Sequence, residues 1–151
     1  MQHKIYSFLL PVLATCLLVL TGVSAQSPLI GNWEGTITVE RDGEVLSSFK
    51  MLLTISSDSL EVQGQSWVWY NEKKAVFSFR GRMEKEVLKI KDIALLEYDK
   101  LPSGEWCYKV MELRLSQSRK HAILEGLWTG NTTFSSCQPG RIMLKKIMKR
   151  A

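Results

Sequence analysis

Residues Gly126 to Lys146 read GLWTGNTTFSSCQPGRIMLKK: the end of a strand, a long polar connection, a cysteine, a Pro-Gly turn and a closing strand. The stretch echoes another near the start of the chain. Gly31-Asn-Trp33-Glu-Gly35 and Gly126-Leu-Trp128-Thr-Gly130 share one spacing, a tryptophan with a glycine two residues to either side. Such spacing seats a bulky ring where neighbouring backbone passes close. The two stretches are expected to be the first and seventh strands of one closed all-β domain, with Pro139 and Gly140 turning the chain into the eighth.

The residues between them alternate with the period of two that marks half-buried strands. Trp33, Gly35, Ile37 and Val39 share one face, and Asp42-Gly43 supplies a hairpin turn. Phe49, Met51, Leu53 and Ile55 face one way in the second strand, and Ala75, Phe77 and Phe79 do so in the fourth. Leu60 to Tyr70 alternates too, with Val62, Gly64, Ser66, Val68 and Tyr70 opposite Glu61, Gln63, Gln65, Trp67 and Trp69, and neither face is simply oily. The fifth strand is expected over Val87 to Tyr98. In the sixth, Trp106 to Leu115, the buried side changes midway, which predicts a bulge. Eight strands joined mostly by short turns predict an antiparallel up-and-down meander that avoids open edges by closing into a barrel, with a β-sandwich as the alternative.

Residues 1–25 stand apart. His3 and Lys4 precede the apolar run Ile5 to Leu20, and Val23-Ser-Ala25 resembles a cleavage site, so a signal peptide cut before Gln26 is expected. Residues 26–151 are then one exported β-barrel domain, periplasmic or extracellular. Loss of Lys4 and Cys16 with the leader leaves 19 basic against 15 acidic residues and an even two cysteines, Cys107 and Cys137. An even pair outside the cytosol predicts a disulfide. Closing a loop of about 30 residues is worth about 3.6 kcal/mol in the chain-entropy model.

Gly-x-Trp on the first strand of a small exported meander resembles the calycin group: lipocalins, avidins and fatty-acid-binding proteins. A closer resemblance is to small, mostly uncharacterised exported β-domains of bacterial envelopes. Their motifs match Gly31 to Gly35, Phe79 to Gly81, Trp106 to Lys109, Leu124 to Trp128 and Cys137 to Leu144. This second resemblance implies an envelope location. Some such domains precede a peptidoglycan-binding domain of the outer membrane; none is read in these 151 residues, and a freely soluble domain is expected. The calycin resemblance implies an apolar ligand in the barrel mouth.

No enzyme is expected. After the leader His121 is the sole histidine, and no nucleophile is offered a positioned base. No metal site or cofactor is expected. Binding is the better reading: Gln63, Gln65, Trp67 and Trp69 place indoles and amides on one strip able to stack on and hydrogen-bond a sugar, with Phe77 and Phe79 as apolar lining. Against this, the two tryptophans read as core residues at the wide end of the barrel. The expected partners are a small apolar molecule, a glycan or an envelope protein. The alternative is an interaction module with a filled core and no small ligand; a glycan hydrolase comes third. Arg141, Lys145, Lys146, Lys149 and Arg150 follow Glu125 with no acidic residue among them, a cluster suited at most to lipid head groups, acidic glycans or a partner. Without interleaved aromatics it makes no case for nucleic acid. Asn131-Thr-Thr133 is an N-glycosylation acceptor only in a eukaryotic secretory pathway.

Overall fold

Alternating residues in register build the whole molecule. A computed structural model describes residues 27–148, so the expected leader, Lys149 and Arg150 lie outside the described residues. The strands are β1 (Gly31–Arg41), β2 (Glu44–Ser57), β3 (Val62–Tyr70), β4 (Lys73–Glu84), β5 (Val87–Tyr98), β6 (Tyr108–Gln117), β7 (Ala122–Asn131) and β8 (Gly140–Lys146). Each pairs antiparallel with the next, and β1 pairs with β8 from Trp33↔Lys146 to Ile37↔Ile142, closing the barrel. With β1 paired on both sides, to β2 and to β8, the sandwich is excluded. Asp42 and Gly43 both take positive φ, 52° and 83°, as the expected two-residue hairpin requires.

Every second residue points inward, filling the base of the barrel with Trp33, Met51, Leu53, Ile55, Leu88, Ile90, Met111, Leu113, Leu124, Ile142 and Leu144. Trp33 seals that base, its indole N–H donating to the Leu29 carbonyl at 2.8 Å. Trp128 stands higher, donating to the Thr38 carbonyl at 2.8 Å across the β8 strand. Gly35 follows Trp33 on the inward face. A Cβ built there would lie 2.0 Å from the Met143 carbonyl oxygen, so the glycine is what lets β8 cross so close.

Two features depart from the sequence reading. No register shift interrupts β6 against either neighbour, so the expected bulge is absent. The inward row runs unbroken through Lys109, Met111 and Leu113, and the apparent change of face came from the aromatic pair Trp106 and Tyr108, of which Trp106 precedes the strand and Tyr108 is exposed. The bulges lie elsewhere, at Val39/Glu40, at Ile55/Ser57, and twice between β4 and β5. The second departure concerns β5 and β6, which pair only from Val87↔Arg114 to Lys91↔Val110. Beyond Lys91 the bulged upper half of β5 follows β4 away, and the wall parts at that height.

Candidate functional site

The parted wall lies at the mouth, the end that carries the β1–β2 and β3–β4 turns, the β5–β6 loop and the β7–β8 connection. A cavity of about 310 Å3 opens there, lined by Ile37, Val39, Phe49, Val68, Phe77 and Trp128 from the strands. Leu101, Pro102, Ser103, Glu105 and Trp106 of the β5–β6 loop fold over one side of it. That loop is pinned: the Trp106 indole donates to the Asp99 carbonyl at 2.8 Å, and Asp99 exchanges backbone and side-chain hydrogen bonds with Lys74 on β4. The predicted disulfide is present between Cys107 and Cys137, 30 residues apart. It joins the start of β6 to the β7–β8 connection, and the Thr133 N–H donates to the Glu105 carboxylate at 3.0 Å beside it. Both rim segments are therefore tied to each other as well as to the barrel.

The floor of the cavity is polar. Lys109 lines it at only 2 % exposure, and Asp92, the inward residue after Ile90 on β5, is 1 % exposed. Asp92 Oδ2 accepts the Lys109 backbone N–H at 2.9 Å, replacing the ladder bond that β5 no longer offers at this height. Its Oδ1 accepts the Ser66 hydroxyl at 3.2 Å. The Lys109 ammonium sits 2.5 Å from Oδ2 and 3.8 Å from the centre of the Phe77 ring. The Asp92 carboxylate is the one protein acceptor in reach of Nζ, and the other N–H groups of the ammonium have no protein partner. Burial pulls the Lys109 pKa below its ordinary value, with the Asp92 charge working the other way.

The residues singled out from sequence divide between two surfaces. Phe77 lines the cavity, and Phe79 lies deeper in the packed core. Gln63, Gln65, Trp67 and Trp69 are on the outer face of β3, none of them buried, which overturns the reading of the two tryptophans as core. Their register sets Trp67 between Leu52 and Val76, and Trp69 between Lys50 and Lys74. The Lys50 ammonium lies 5.4 Å from the Trp69 ring centre. Of the basic cluster, Arg141 pairs with Glu40 at 3.5 Å, and Lys146 donates to the Pro28 carbonyl while standing 5.4 Å from the Trp33 ring. These two belong to the fold and not to a free tail. His121 is exposed in the β6–β7 turn, at the end opposite the mouth.

Sequence reasoning missed Ser66, Asp92 and Lys109 as a unit, although a signal existed. Ile90 pairs with Met111, so Asp92 two residues on and Lys109 two residues back fall on the same inward row of neighbouring strands. One acid and one base facing each other on otherwise oily faces mark a buried pair.

No protein-family model matches the chain, and neither a curated protein nor a solved structure matches it.

Proposed function

We propose that this protein is an exported, non-enzymatic binding barrel of calycin type that holds a small apolar molecule in its mouth. The observation that carries the reading is the cavity of about 310 Å3 walled by Phe49, Phe77, Trp106 and Trp128 in an otherwise packed barrel. Ligand pockets commonly run from about 300 to 1,000 Å3 and are mostly apolar with few polar groups. A module that worked only through its surface gains nothing from leaving such a space, since an unfilled void forfeits packing. The Cys107–Cys137 bridge supports residence in an oxidising compartment, the periplasm or outside the cell. Native mass spectrometry of protein purified from its own source tests the reading. The expected spectrum contains a species heavier than the bare chain by one small molecule, which organic extraction releases. A bare chain, together with failure of added hydrocarbons to quench or shift tryptophan emission, would refute it.

A second reading rests on the outward strip of β3, where half-exposed Trp67 and Trp69 flank a face that also carries Gln65. It assigns a glycan to the outer wall, and predicts that Trp67→Ala abolishes oligosaccharide binding with little change in melting temperature.

A further inference from the structure

The floor of the cavity constrains its occupant. An ammonium carries three N–H donors. In Lys109 one N–H is taken by the Asp92 carboxylate and the Phe77 ring lies against another side, which leaves buried N–H capacity that no other protein atom accepts. Buried donors without partners are costly, and natural structures leave few of them. The other donors around the space are committed or open to water: the Trp106 and Trp128 indoles bond to the Asp99 and Thr38 carbonyls, and the Tyr70 and Ser103 hydroxyls belong to exposed residues. Charge is committed as well. Asp92 balances Lys109, and the other acidic or basic side chain on the lining is Glu105, a carboxylate. A ligand carboxylate would enter as an uncompensated anion near Glu105, with a desolvation cost and no second cation to meet it.

Building on the apolar-ligand reading above, we infer that the occupant is a neutral, mostly hydrocarbon molecule carrying one carbonyl or hydroxyl oxygen, which accepts a hydrogen bond from Lys109 Nζ. Asp92 is a positioning residue, holding the ammonium over Phe77 at the floor of the cavity. The volume sits at the small end of ligand pockets, which suits a chain of modest length.

The test uses octane, 2-octanone and octanoate, with binding followed by tryptophan fluorescence, on the wild-type chain and on Asp92→Asn/Lys109→Met. The double substitution removes both charges together, while the amide it introduces at position 92 can accept the residue 109 N–H through its oxygen and donate its NH2 to the Ser66 hydroxyl. In the wild type, 2-octanone is expected to bind at least roughly tenfold more tightly than octanoate. In the double variant its affinity falls by roughly tenfold or more while octane changes by less than ~threefold, since a hydrogen bond from a charged donor is lost. An independent readout needs no variant: the carbonyl stretch of bound 2-octanone should lie at lower frequency than in hexane. Tighter binding of octanoate, an unchanged ketone affinity in the double variant, or a hexane-like carbonyl band each overturns the inference while leaving apolar binding intact. If none of the three binds, the apolar-ligand reading itself fails.

Discussion

Replacing Asp92 with alanine isolates what the polar floor contributes to stability. Three contacts disappear: the Ser66 hydroxyl at 3.2 Å, the Lys109 backbone N–H at 2.9 Å and the ammonium at 2.5 Å. The hydroxyl can rotate to another acceptor, but the backbone N–H is orphaned at about 1–3 kcal/mol. The ammonium is left as an unpaired buried charge, and breaking such a pair from one side costs about 3–5 kcal/mol in all. Against a total stability of about 5–15 kcal/mol this is a large fraction. With a urea slope near ~1.5 kcal/mol per molar, the unfolding midpoint should fall by about 2–3 M. Lys109→Met is expected to lose less, about 2–3 kcal/mol, because the carboxylate it strands keeps two donors. The double variant Asp92→Ala/Lys109→Met should sit well above the sum, the coupling amounting to about 2 kcal/mol, because no unpaired charge remains. Urea titrations at pH 7 followed by tryptophan emission measure all four corners of the cycle. Additivity within about 0.5 kcal/mol would mean that the two charges do not interact, and would refute the account of the floor.

Other expectations follow from the same contacts. Cys107→Ser/Cys137→Ser, or reduction of the wild type, should lower stability by about 3.6 kcal/mol in equilibrium unfolding; an unchanged midpoint under reductant would show that the bridge constrains little. Gly35→Ala puts a methyl 2.0 Å from the Met143 carbonyl and must push β1 and β8 apart, a loss of at least about 3 kcal/mol, whereas wild-type-like melting would mean the seam is loose. Because burial holds the Lys109 pKa below 10.5, the unfolded chain binds a proton that the folded chain has released in the window beneath that value. Stability relative to Asp92→Asn/Lys109→Met should therefore rise with pH across the window and level off above 10.5, as read from paired urea titrations; a fall with rising pH would give the wrong sign.

The fold was legible because its strands keep a strict two-residue rhythm in which apolar and polar residues seldom trade places. Trp33 to Val39, Phe49 to Ile55 and Ala75 to Phe79 announce their faces, and the hairpin at Asp42-Gly43 follows from the residues that tolerate positive φ. The disulfide followed from counting. The site was less legible, for two physical reasons. Asp92 and Lys109 satisfy one another only when β5 and β6 are in register, and residue-by-residue polarity assigns both to solvent. Trp67 and Trp69 are large and apolar enough to suggest a core, but the opposite parity, Val62, Ser66 and Val68, had already claimed it. The β5–β6 loop contributes six residues of the cavity lining from a stretch without periodicity, where sequence patterns carry no directional information.

The seam between β1 and β8 has a kinetic meaning. Residues near either terminus of the described chain must meet before the sheet loses its two free edges: Ile37 with Ile142, and Trp33 with Lys146. Neighbouring hairpins can form as the polypeptide emerges, yet the sheet stays an open, self-complementary surface until its final segment arrives, and pairings of such long range form slowly. A product cut short before Gly140 would keep β1 and β7 exposed as two adhesive borders, so premature termination of this polypeptide should yield aggregates and not a smaller working barrel.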